Sequence, residues 1–275
     1  NQMDETVEAA IEGGTATAGD VDVTAKNEQH MISRAEALQT LEGSSTVSSY
    51  SLAMGGSISS NEMLGETIAA IRTGADVSGT SVLVDARNSA IMDSTTDATT
   101  KMTGGAGSAV GVSVAFNLVG YDVDNIFLLG IDTLLGLGLG TTETPSNAHA
   151  YIDASLVTAT GALTVNANNA TQLNATVSNA AKSAAIGGGG SPTDPLYQAN
   201  GMGFALIFAS NKVLSQSKAE ITNAPTDGAI TSGAALKVTA VDATGMFANG
   251  KVVSSSVTTN DGGATQIDAA LGITA

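Results

Sequence analysis

Short runs of alternating apolar and polar residues return four times along the chain: Val21-Asp-Val-Thr-Ala25, Val82-Leu-Val-Asp-Ala86, Leu163-Thr-Val-Asn-Ala167 and Leu236-Lys-Val-Thr-Ala240. In each run the first, third and fifth residues are apolar, which is the pattern of a half-buried strand. Stacked in register, the runs would form two inward columns, Val23, Val84, Val165 and Val238 beside Ala25, Ala86, Ala167 and Ala240.

The flanks repeat too. Gly19, Gly79, Gly161 and Gly233 stand just before the runs, where a positive φ would serve a tight corner. Asn27, Asn88, Asn169 and Asp242 stand two residues after them, a spacing that predicts a second turn. Upstream lie Ile11, Ile71, Ile152 and Ile221, and further upstream Asn1, Asn61, Asn117 and Asn211 open the units.

The repeats therefore predict one continuous body over residues 1–275, with units 1–60, 61–116, 117–210 and 211–275. The third unit carries insertions at 121–145 and 186–198, and all four prolines fall in these and one smaller variable stretch. Proline cannot donate to a sheet ladder, so its exclusion from the repeated strands fits. The expected fold is all-β, a parallel β-helix (β-solenoid) of about four multi-coil units. Units this long exceed the usual 20–45 residues of one repeat. They predict two or three coils each, about 8–12 coils and a body about 40–60 Å long. Within the first insertion, Asp122 and Asp124 would cap a short amphipathic helix with Phe127, Ile131, Leu134 and Leu135 on one face, stopped by Gly136, Gly138 and Gly140. Counting from Val238 also suggests that the chain closes just before the next unit's asparagine, which would leave both ends to be covered by further repeats or by another copy.

Composition narrows the function. Only 3% of residues are aromatic, which suits a thin layered core of Val, Ile, Leu and Ala. Net charge is −16, a field that repels nucleic acid and anionic membranes. The apolar stretch Ile126 to Leu139 has 14 residues and contains Asp132, too short and too polar for a membrane span. An outer-membrane barrel would need aromatic girdles that this chain lacks.

The segments GVSVAFNLVGYDVDNIFLLGIDTLLG, NAHAYIDASLVTATGALTVNA and GFALIFASNKV resemble very large repetitive bacterial surface proteins, the haemagglutinin-like and adhesin-like extracellular β-solenoids. The resemblance implies a parallel β-helix, an extracellular or cell-surface location, and a structural or adhesive role, as in a filament of a biofilm matrix. It carries no catalytic motif.

Candidate chemistry is sparse. His30 and His149 are the only histidines and there is no Cys, so a zinc site or a Ser-His-Asp triad has little material. Asp122, Asp124 and Asn125 form a weak calcium candidate without the later glycine and glutamate of a hand-type loop. The glycine runs at 103–108 and 187–190 lack the Lys-Ser or Lys-Thr of a phosphate loop. A polysaccharide lyase would need clustered carboxylates and a base, whereas the ten basic residues are dispersed. The expectation is a non-enzymatic fibre element without catalytic residues or cofactors, partnered by copies of itself or by further repeats stacked end to end. A ligand-contacting adhesin module is the alternative.

Overall fold

Alternation runs far beyond the five-residue cores. From Ser81 to Thr103 inward and outward positions interchange over 23 residues, which is why one strand forms without a break. The computed structural model describes residues 1–42, 50–104, 106–123, 141–187, 200–223, 228–260 and 267–274. In chain order the strands are β1 (Gln2–Glu12), β2 (Thr15–Thr17), β3 (Asp20–Glu42), β4 (Tyr50–Arg72), β5 (Asp76–Gly79), β6 (Ser81–Thr103), β7 (Ala106–Val119), β8 (Tyr121–Val123) and β9 (Thr141–Glu143). There follow β10 (Ser146–Asp153), β11 (Leu156–Ala159), β12 (Leu163–Gly187), β13 (Asn200–Val213), β14 (Ser215–Thr222), β15 (Ile230–Ser232), β16 (Leu236–Asp242), β17 (Gly245–Asn260) and β18 (Ile267–Thr274). The described residues are all-β, 87% of them in strands, with parallel strands in curled sheets.

Among the described residues three parallel sheets account for all but one strand pair. The first runs β14-β10-β4-β7-β13-β18 with β1 also on β4. The second is β15-β11-β5-β2. The third is β16-β12-β6-β3 with β17 also on β12. The chain passes from the first sheet through the short second sheet to the third, and each pass forms one layer.

Register fixes the layer count. Val23 pairs with Val84, Val84 with Val165, and Val165 with Val238. One repeat of about 60 residues thus makes one layer, and the expected two or three coils per unit are corrected to one. The reason is strand length: 23-residue strands take up the residues expected in extra coils. Four layers at about 4.8 Å span only about 19 Å along the stacking axis, not 40–60 Å.

The core lies between the first and third sheets, closed at one end by the second. Near that end Ile71, Val77 and Val84 pack with their counterparts from the neighbouring layers. Further along, Met63 faces Met31, Met92 and Leu173. Beyond that the sheets approach closely, and a Cβ on Gly111 would lie 2.5 Å from Asn179 Oδ1.

The corner between the first and second sheets uses a left-handed residue. Gly13 occupies it in the first layer at φ 59°, Thr73 in the second at 60° and Ala154 in the third at 46°. The backbones also bond across layers, Gly13 N–H to Arg72 O at 3.1 Å and Gly74 N–H to Ala154 O at 2.7 Å.

The first insertion leaves the layer at a single point. Val119 aligns with Met63 and Val213, and Ser146 with Ser215, so residues 120–145 stand where the fourth layer has Leu214 alone. Its base is an antiparallel pair, with Tyr121 opposite Glu143 and Asp122 opposite Thr142. Asp122 therefore sits in a strand and not at a helix cap. No described residue is helical. The expected helix, with Asp124, Phe127, Ile131, Leu134, Leu135, Gly136, Gly138 and Gly140, lies outside the described residues, as do Asn125 and most of 186–198.

Candidate functional site

The asparagines that mark the repeat sit inside long strands and meet in one column. Gln2 pairs with Glu62, Asn61 with Asn117 and Asn117 with Asn211, so the four asparagines stack in consecutive layers. Asn1 Nδ2 donates to Asn61 Oδ1 at 2.9 Å, Asn61 Nδ2 to Asn117 Oδ1 at 3.0 Å, and Asn117 Nδ2 to Asn211 Oδ1 at 2.9 Å. The second N–H of each amide crosses to the third sheet. It reaches Ile32 O at 2.7 Å, Asp93 O at 2.8 Å, Asn174 O at 2.7 Å and Phe247 O at 2.6 Å in the four layers.

Each amide therefore ties its layer to the next one and one sheet to the other. Asn61 and Asn117 are fully buried, so satisfying their polar atoms is a condition of folding. The ladder has a direction. Among the described residues Asn1 Oδ1 has no donor, and Asn211 Nδ2 has spent only the N–H that points across to Phe247 O. One terminal layer offers an acceptor and the other a donor.

The apolar columns also run out at one end. Val84 and Val165 are wholly buried, whereas Val238 in the fourth layer is 45% exposed. Leu236 and Met246, which continue inward columns, are exposed too. The fourth layer thus presents an open apolar rim beside the free amide donor.

The outward faces carry paired charges. Arg72 reaches across three layers, bonding Glu8 at 2.7 Å, Glu12, and Tyr151 Oη at 2.7 Å. Those partners raise the guanidinium pKa further, the Tyr151 and Glu12 hydrogen bonds leading. His149 stacks on Tyr151 with ring centres 4.5 Å apart and meets Glu220 at 2.9 Å. Glu220 is held below its ordinary value chiefly by Lys218 and also by His149. On the third sheet Asp93 bonds His30 at 2.9 Å and accepts from Asn174 Nδ2 at 2.8 Å, and the His30 bond leads in lowering its pKa. Burial, with Glu143 nearby, raises Tyr121, over whose ring Lys212 sits at 3.9 Å. Among the described residues no three His, Asp or Glu side chains converge as metal ligands.

The sequence-derived columns fall as follows. Val23, Val84 and Val165 face inward and are buried with Ala25, Ala86 and Ala167, while Val238 and Ala240 continue them into the fourth layer. Asp85 faces outward but is itself buried, held by Asn166 Nδ2 at 2.6 Å and Arg87 Nε at 2.6 Å.

Two expectations are corrected. Gly19, Gly79, Gly161 and Gly233 are not in the positive-φ region. At three of them the need is room: a Cβ on Gly161 would lie 2.7 Å from Thr80 O, one on Gly79 would lie 2.8 Å from Ser81 O, and one on Gly233 would strike Thr160 O. Asn27, Asn88 and Asn169 do not turn the chain either, because they lie mid-strand and face the interior. Asn88 Nδ2 bonds Ser146 Oγ at 3.0 Å and Asn169 Nδ2 bonds Ser146 O at 3.2 Å. Only in the fourth layer does the strand stop there, β16 ending at Asp242.

The methionine column has a sequence signal of its own. Met31, Met92, Leu173 and Met246 each stand eight residues after the central valine of the run. Met3 and Met63 likewise follow the unit asparagine by two residues. Comparisons with protein-family models, with curated proteins and with solved structures find no significant match to this chain.

Proposed function

We propose that the chain is a length of parallel β-helix, one repeat per turn, serving as a structural segment of an extracellular bacterial fibre with no catalysis of its own. The observation that carries this reading is the asparagine ladder. It is regular in every layer and polarised along one axis, an arrangement suited to a repeating structural element and not to a closed active site. The partners are further repeats of the same chain or copies of it, docked end to end through the open rim around Val238 and Met246. Nucleic acid and membrane insertion have no part in it, in keeping with the acidic balance of −16. The location and the bacterial origin rest on the resemblance of the segments around Phe116, Ile152 and Phe208 to surface β-solenoid repeats.

Electron microscopy of the purified chain at rising concentration tests the reading. Particles should lengthen along the layer axis, with strands running across it. Particles that stay one chain long at every concentration would remove the end-to-end element of the proposal.

A further inference from the structure

The first sheet is apolar on both faces over the half that β7 and β13 build. Ala53, Ala109 and Ala205 point inward against Met102 and Ala181. Alternation sends their neighbours outward, where Met54, Val110, Phe204 and Leu271 form one row in register across four strands. The next outward row contains Val112 and Ile273. Met54 is 60% exposed, Met202 51% and Leu271 53%. Residues 50–60, 106–119 and 200–211 contain no Asp, Glu, Lys or Arg, although the chain has 26 acidic residues. A contiguous uncharged face of this kind is unusual on a protein that stays alone in water.

We propose that this outward face is a lateral docking surface for a second copy of the chain, the two first sheets packing face to face. Size, charge and shape carry the choice of occupant. Phe116, Leu118 and Phe208, further along the same face, are buried, so four strands about 4.8 Å apart and three outward rows about 7 Å apart give about 400 Å² per copy. Two such faces bury about 800 Å², the size of a weak, reversible contact, and each added layer widens it. Two copies at net −16 repel wherever their acidic faces meet, so the neutral face is the one on which they can approach. A twisted sheet face pairs naturally with another of its kind about 10 Å away. This association lies at right angles to end-to-end stacking and does not depend on it.

Sedimentation of the full chain over a concentration series tests the proposal. The expected result is a reversible dimer whose dissociation constant rises roughly a hundredfold or more in Met54→Glu with Met202→Glu. Far-UV circular dichroism and melting of that variant should match the parent, since both side chains are exposed. Val238→Lys, at the open end, should leave the dimer intact. A second readout uses the absence of cysteine: pyrene on Met54→Cys should show excimer emission in the dimer. The idea is overturned if the parent is monomeric throughout, or if the glutamates leave association unchanged. It is overturned too if Val238→Lys abolishes association while the glutamates do not. A monomeric parent that dimerises once residues 124–140 are deleted would show that the chain covers this face itself.

Discussion

Asn61 shows what a single amide does in this protein. It accepts from Asn1, donates to Asn117 and donates to Asp93 O, while wholly buried. Asn61→Ala strands two acceptors, Asn117 Oδ1 and Asp93 O, and frees the Asn1 amide, and should cost about 3 kcal/mol in urea melts. Asn1→Ala, at the exposed end of the same ladder, should cost less than about 1 kcal/mol. Equal costs would mean that the ladder is not cooperative. Thr73 illustrates the opposite case. A β-branched, exposed residue at φ 60° is strained, and the equivalent position of the first layer holds Gly13. Thr73→Gly should therefore stabilise the protein by about 1 kcal/mol, the relief of strain exceeding the entropy lost by glycine. A lower denaturation midpoint would show that the Thr73 side chain makes a contact worth more than its strain.

At the scale of elements, sheet spacing sets what each strand tolerates. Gly111 lies where the first and third sheets nearly touch, so Gly111→Val would drive a branched side chain into Asn179 and should cost about 3 kcal/mol. Val84→Asp places a charge in a column with no partner and should cost more than that. Asp85→Ala faces the other way yet should not be silent, because it releases Asn166 and Arg87 from a buried carboxylate; about 1–2 kcal/mol is expected. The five-residue runs revealed the strand faces and the inter-layer register because alternation and repetition act together there. Strand length stayed hidden. Interior positions such as Ser59, Ser94, Asn88 and Thr100 are polar, so they do not read as buried, and the pattern looks broken where the strand continues. The asparagine ladder was visible as spacing but not as chemistry, since its partners on the third sheet lie 31 to 57 residues away with no motif of their own. The insertion makes a further element-scale test. Tyr121 and Glu143 are paired neighbours, so replacing 122–142 by one glycine spans a gap the chain already closes. That variant should retain its β signal and unfold in one transition. Loss of the far-UV signal would make the insertion part of the core.

For the whole molecule, the decisive quantity is the balance between a net charge of −16 and layers that join through apolar columns and neutral amides. Copies approaching along either the layer axis or the neutral sheet face repel over a Debye length, about 30 Å at 0.01 M salt and about 8 Å at 0.15 M. The contacts proposed for association, Val238, Met246 and Asn211 at the end and Met54 and Leu271 on the face, carry no charge and are not weakened by that screening. Association should therefore strengthen with added salt, the reverse of an interface built on ion pairs. Acid offers an independent lever and works in the other direction on the fold. Asp93 and Glu220 have lowered pKa values in the folded chain, so their pairs contribute stability that is complete above the ordinary carboxylate range. It is lost as pH falls through the lowered values. Denaturation midpoints should thus hold from about pH 7 to 5 and fall below about pH 4, with Asp93→Asn converging on the parent at the acid end. Light scattering across that range separates the two effects. Particle mass should rise first, as carboxylate protonation trims the repulsion while the layers remain folded, and order should fail only at lower pH. If mass instead declined on adding salt at neutral pH, charged side chains and not the neutral faces would be the contacts between copies.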